Sequence, residues 1–279
     1  MDLRARRSLA IILTACICTL VPVRQCFAGA WTMEEGKMYE RLGFNYYFAD
    51  SRFAMEKDSD HFREFRDMNF SNYLEYGLSS RFTVINVLYY KILEKEENSR
   101  SLNSNGLGDI DIGVKGKLFD GPWGIVSTQA LVKLPGIYDK NDELPLGNGQ
   151  GDVEMRGLYG KSLWPYIPGY CNLELAYRWR YGDPADELRY LVEFGMDFTT
   201  DFYGRIKLDG ILSMNNGNRF GASGNPMAAN NYDLGKLDMA LGYKMTRAWG
   251  LEICYTPEIY GRNTTEGATY TLAITYQLQ

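Results

Sequence analysis

Hydrophobic and polar residues alternate at a period of two along most of this chain. The clearest stretch is 106–119. There Ile110, Ile112, Val114, Gly116 and Leu118 share one parity, and Asp109, Asp111, Gly113, Lys115 and Lys117 share the other. A β-strand sends successive side chains to opposite faces, so this stretch predicts a strand with one uncharged face and one carrying four charges. The same alternation predicts strands over 36–49, 65–77, 82–92, 123–134, 151–161, 170–181, 187–198, 202–214, 232–245, 249–260 and 268–279. The count is twelve, and it is even.

The connections sort by length. Polar stretches at 50–61, 93–105, 135–150, 182–186, 215–231 and 261–267 alternate with tight turns near 78–81, 120–122, 164–169, 199–201 and 246–248. Trp123, Trp164, Phe202 and Trp249 sit at or beside the tight turns. Long loops at one end, short turns at the other and aromatic girdles mark a transmembrane antiparallel barrel. The expected fold is therefore all-β: an up-and-down barrel of about twelve strands, with long outer loops and short periplasmic turns. A soluble exported β protein is the competing architecture. It gives no reason for the sorted connections or for a charge-free face on almost every strand.

The N-terminus agrees with export. Arg4, Arg6 and Arg7 precede an apolar run over 9–23, and small residues follow at Ala28, Gly29 and Ala30. This pattern predicts a secretory signal peptide over 1–28, cut after Ala28, with the bond after Ala30 second. A membrane anchor and a lipoprotein site at Cys16 compete with it. The apolar run is short for an anchor and continues past Cys16. The expected organisation is a removed segment 1–28, an N-terminal segment 29–35 whose Trp31 could tuck into the periplasmic mouth as a plug, and a barrel over 36–279.

Composition narrows the function classes. Removing 1–28 takes four of the 30 basic residues and one of the 35 acids, leaving 26 against 34, a formal charge of −8. That excludes a nucleic-acid signature. Mean hydropathy of −0.32 does not exclude a membrane barrel, because only every second strand residue meets lipid. Cys16, Cys18 and Cys26 fall in the removable segment. Cys171 and Cys254 lie on opposite strand faces, outward and inward, so neither a disulfide framework nor a metal site is expected, and no cofactor is implied.

Lumen-lining candidates follow from parity: Arg41, Asp109, Asp111, Lys115, Asp152, Glu154, Arg156, Glu174, Arg178, Arg180, Arg189, Glu193, Arg205, Lys207 and Asp209. Their mixed signs suggest salt-bridge networks across a narrow pore. Either these charges pair and fill the lumen, or they line a conducting path. A near-repeat is present: Gly106-x-Gly108-Asp109-Ile110-Asp111-Ile112 recurs as Gly149-x-Gly151-Asp152-Val153-Glu154-Met155, and more loosely at Gly235-Lys236-Leu237-Asp238-Met239. It reads either as a row of acids for substrate or ion contact, or as small and acidic residues starting strands at the water boundary. The mature chain has a single His, His61, with Ser59 two residues away; a lipid-hydrolase site there is the weakest functional alternative, and a solvated loop His is the favoured reading.

Several phrases resemble a known family. Gly29-Ala30-Trp31-Thr32, Glu75-Tyr76-Gly77-Leu78-Ser79, the Gly-x-Gly-Asp strand with Lys115-x-Lys117-Leu118, and Leu131-Val132-Lys133-Leu134-Pro135-Gly136 resemble the outer-membrane transporters grouped with the phenol meta-cleavage pathway, to which the XagA-like proteins are close. The resemblance implies a cell outer-membrane barrel, bathed in outer-membrane lipid, that passes small, often hydrophobic or aromatic molecules. It carries over no catalytic or binding residue. A non-conducting surface barrel linked to extracellular polysaccharide or adhesion remains the alternative.

Overall fold

A computed structural model describes residues 29–53, 60–97, 100–217, 225–226 and 229–278. The expected signal peptide lies outside the described residues. Thirteen strand segments follow in order: β1 (Met38–Phe53), β2 (Asp60–Gly77), β3 (Phe82–Glu97), β4 (Arg100–Leu107), β5 (Ile110–Gly121), β6 (Gly124–Leu134), β7 (Asp152–Ser162), β8 (Gly169–Arg180), β9 (Glu187–Asp197), β10 (Phe202–Ser213), β11 (Asp233–Lys244), β12 (Trp249–Arg262) and β13 (Thr264–Leu278). Each stave pairs antiparallel with its neighbours in sequence, and β1 pairs with β13 from Met38↔Leu278 to Phe53↔Thr264. The sheet is thus closed into a barrel with no free edge in the membrane, which leaves every ladder group paired.

The staves number twelve, because β4 and β5 are one stave broken at Gly108–Asp109. β3 pairs with β5 over Phe82–Val87 and with β4 over Tyr90–Glu97. Among the described residues no strand lies beside the far edge of β4. Residues 135–151 cover it instead: a Cβ at Gly136 would lie 2.3 Å from the Gly108 carbonyl oxygen, and one at Gly106 would lie 3.0 Å from Leu146.

Parity decides the faces. Leu42, Phe44, Ile112, Val114, Leu173, Leu175, Leu241, Leu272 and Ile274 are exposed on the outside, whereas Glu75, Lys115, Glu154, Arg178, Glu193 and Glu252, of the opposite parity, are buried inside. This outward apolar band is a lipid-facing surface, and it places the molecule in the outer membrane. At the short-turn end Phe202 packs on Tyr243 and Trp249 on Tyr276, with ring centroids 4.9 and 4.7 Å apart. Trp123 is 77% exposed and faces the Lys161 ammonium.

The outer connections differ from expectation. The polar stretches at 93–105 and 261–267 are largely strand rather than loop: β3 runs on to Glu97, β4 begins at Arg100, and β12 turns into β13 through Asn263 alone, in the left-handed region at φ 56°; in the stretch at 50–61, β1 runs on to Phe53 and β2 begins at Asp60, and residues 54–59 lie outside the described residues. The reason is solvation. Above the bilayer the outer face of a ladder meets water instead of lipid, so the backbone bonds persist while the alternation that reveals them fades. Only 135–151 and the β10–β11 connection remain long, and residues 218–224 and 227–228 of the latter lie outside the described residues.

Candidate functional site in the barrel interior

The short-turn end is filled by the N-terminal segment. Ala30, Trp31 and Met33 are buried. The Lys115 ammonium donates to the Gly29 carbonyl at 2.9 Å and pairs with Glu75 at 3.0 Å. Ser127 Oγ donates to the Ala30 carbonyl at 2.5 Å, and the Met33 amide donates to Thr83 Oγ1 at 2.8 Å. The Trp31 ring stands edge-on to Tyr170 at 5.8 Å. Its other neighbour is Gly160, where a Cβ would come within 2.7 Å of the indole; only a glycine leaves room there.

One wall, from β5 to β9, carries a continuous ionic mesh. Lys133 sits between Asp109 at 3.2 Å and Asp152 at 2.9 Å, so the acids of the two Gly-x-Gly-Asp copies meet on one lysine. Arg178 Nε donates to Glu154 at 2.8 Å, and Arg156 bridges Glu154 and Glu174. Glu187 accepts from both Arg180 and Arg189 at 2.6 Å. Charge-assisted bonds of this kind hold buried arginines in register, and a partner lost from such a mesh leaves an uncompensated buried charge.

The opposite wall is sparser. Arg41 Nε donates to Glu252 at 2.7 Å, and the Tyr203 hydroxyl donates to the same carboxylate at 2.9 Å. Arg41 also reaches the buried Cys254 sulfur at 3.4 Å. Arg205 pairs with Asp238 at 3.2 Å and faces Glu193 at 3.8 Å, while Tyr170 donates to Glu193 at 2.8 Å. Between Arg41 and the long-loop end runs a neutral chain: Thr271 donates to Asn45, which donates to Asn69 and Ser71.

The fifteen candidates thus lie on the inner parity, and most are drawn into pairs. Asp111, Lys207 and Asp209 have no counter-ion within 4.0 Å among the described residues. Lys117 lies beside the β5 bulge and pairs with Asp120 at 3.0 Å near the tight turn. The partners that complete the networks, Glu75, Lys133, Glu187, Asp238 and Glu252, are not among those candidates. Parity marked their faces, but which inward charges meet depends on strand register for Lys133, Glu187 and Asp238, and on contact across a stave for Glu75 with Lys115 and Glu252 with Arg41, and neither leaves a trace in spacing. Cys171 and Cys254 are both free thiols. Ser59 and the side chain of His61 lie outside the described residues.

The long-loop end is crossed by residues 135–151. Leu144 and Leu146 are buried against the inward side chains of Tyr47, Ala49, Phe65 and Leu93, with Leu102 and Tyr138 alongside. Polar ties hold the loop at its two roots. The Tyr138 hydroxyl donates to Asp109 and accepts from the Gly149 amide, and Lys133 donates to Asn148 at 2.6 Å. Burial, reinforced by the Asp109 carboxylate, holds the Tyr138 phenol above its ordinary pKa, so it stays a donor at neutral pH. Asn225 donates to the Pro145 carbonyl at 3.0 Å.

No protein-family model matches the chain, and no curated protein does. Solved structures do match. The COG4313 outer membrane channel from Pseudomonas putida F1 aligns with a TM-score of 0.72 at 16% identity, over 93% of this chain and all of that one. The NanC porin aligns with a TM-score of 0.56 at 10% identity, over 86% of this chain and all of that one. At these identities the likeness is one of fold: this chain shares a closed outer-membrane β-barrel with proteins described as a channel and a porin.

Proposed function

We propose that the protein is an outer-membrane channel for small molecules, with a narrow charged lumen stoppered at its periplasmic end by residues 29–35. The observation that carries this reading is how the stopper is held. Gly29 and Ala30 are fixed by hydrogen bonds to Lys115 and Ser127, side chains of the barrel wall, rather than by a strand ladder. A few exchangeable polar bonds, beside the buried side chains of Ala30, Trp31 and Met33, suit a segment that leaves and returns. The polar inner wall supports passage of water and solute, and a twelve-stave barrel lies between eight-stave barrels filled by side chains and porins of about 16 staves with an aqueous channel. The neighbours' description as channel and porin supports the channel reading, and the strand phrases that resemble the phenol-pathway transporters point to small hydrophobic or aromatic permeants.

Single-channel recording in planar bilayers tests the reading. The full chain is expected to conduct in rare, small steps, and deletion of residues 29–35 to give larger and more frequent ones. The obstructions at both ends also favour a second reading, a barrel that does not conduct and serves the cell surface. Absence of conductance from both proteins, correctly folded, would select it.

A further inference from the structure

Buried apolar side chains are scattered among the charges of the inner face, at Ile85, Leu131, Leu158 and Ala176, and among the described residues they gather into a cluster at one place. At the long-loop end, Tyr47 and Ala49 of β1, Phe65 of β2, Leu93 of β3 and Leu102 of β4 form a contiguous apolar patch on four adjacent staves, facing the lumen. A wall meant only to pass water gains nothing from such a patch. It is covered by two side chains of residues 135–151, Leu144 and Leu146, at 3% and 2% exposure.

We propose that this patch is a docking site for a small apolar or aromatic solute arriving from outside, and that Leu144 and Leu146 occupy it as stand-ins until the solute displaces them. The inference rests on the channel reading and names where its solute first binds. Three features carry it. The site is preformed: the Tyr47 hydroxyl donates to Glu258 at 2.9 Å and accepts from Thr265 Oγ1 at 2.6 Å, which fixes the ring, and Phe65 stands edge-on to it at 6.1 Å. The leucine side chains are separable from the wall, because apolar contact alone holds them; the polar ties of the loop are at Tyr138 and Asn148 near its roots, at Glu143 to Arg100, and at the Pro145 backbone carbonyl, which accepts from Asn225. The exchange is balanced, because apolar burial is non-directional and a molecule the size of two leucine side chains restores what the loop loses. A sugar or an ion restores nothing there.

Cysteine accessibility tests this. In a Cys171→Ser, Cys254→Ser background in lipid nanodiscs, Leu144→Cys is treated with a membrane-impermeant maleimide, with and without naphthalene, and with sucrose as the control. Slow labelling alone, at least tenfold faster labelling with naphthalene and no change with sucrose is the expected result. Ile137→Cys, on the exposed start of the same loop, should label fast under all conditions. Adding Phe65→Ser should abolish the naphthalene effect. Equal labelling with and without naphthalene, or fast labelling without solute, would overturn the proposal. Conductance recorded on the same preparations reports separately on the channel reading, since a closed but solute-responsive loop and a conducting but unresponsive one give opposite patterns.

Discussion

Lys115 and Glu75 form an ion pair at 3.0 Å, 1% and 0% exposed, and the same ammonium holds the Gly29 carbonyl at 2.9 Å. Barrel wall and N-terminal segment therefore share one cation. Lys115→Met leaves the Glu75 carboxylate buried without its counter-ion, a loss of about 3–5 kcal/mol for a broken buried pair. Adding Glu75→Gln removes the stranded charge and keeps an acceptor for the Tyr73 hydroxyl, so most of that loss should return. Denaturant unfolding followed by heat-modifiable gel mobility measures both. In the double variant the tie to Gly29 is still missing, so protease should cut near residue 30 faster than in the wild type even where stability has recovered.

Gly160 makes a separate claim on the same segment. A valine there would overlap the Trp31 indole. Strain from added bulk in a packed site costs about 1–3 kcal/mol, less than the barrel holds in its ladder. The segment should yield before the barrel does. The expected outcome for Gly160→Val is a folded barrel with unchanged heat-modifiability, red-shifted Trp emission and larger single-channel steps. Unfolding of the barrel, or no change in emission, would show that Trp31 is not seated by Gly160.

Which of these features the sequence reveals follows from what the solvent demands. Lipid on one side and polar lumen on the other impose a period of two, so the twelve staves and the outward parity of Ile112, Val114 and Leu173 are readable in the residues alone. Above the bilayer that demand ends, which hides the upper strands at 93–105 inside a polar run. Contacts between non-adjacent staves, such as Arg41 with Glu252, depend on barrel curvature and carry no periodicity. The seat of Leu144 and Leu146 is likewise silent: two leucines in a polar loop read as ordinary loop residues until the patch on β1–β4 is seen beneath them. Gly160 reads as one more inward strand residue, and nothing in the alternation of β7 marks it as the floor under Trp31.

Asp186, in the outer β8–β9 connection, gives the molecule a pH response outside the membrane. Its partial burial would raise the pKa, but bonds from the Arg180 amide at 2.8 Å, Asn216 Nδ2 at 2.9 Å and the Tyr177 hydroxyl at 3.1 Å outweigh this and hold it below the ordinary carboxylate value. A group with a depressed folded pKa contributes stability that is present above its unfolded pKa and is lost as pH falls through the folded one. The 181–186 connection and its tie to Asn216 should therefore loosen below about pH 4, the ordinary carboxylate range. Hydrogen exchange, corrected for intrinsic rates, should show the change in the wild type. In Asp186→Asn the connection should be looser at neutral pH and should not respond to acid.

The lipid assignment of the outer parity is tested most directly at Ile112, on β5 and 44% exposed. An arginine facing hydrocarbon near the bilayer midplane costs about 2–4 kcal/mol, falling toward zero at the interfaces. Ile112→Arg should lower unfolding stability by an amount in that range and slow folding into lipid vesicles. Ile137→Arg, at 92% exposure on the 135–151 loop, replaces an equally apolar residue that meets water, so it should stay within about 0.5 kcal/mol of the wild type. Equal effects at the two sites would mean that the apolar parity does not face lipid, and would return the strand faces to a soluble architecture.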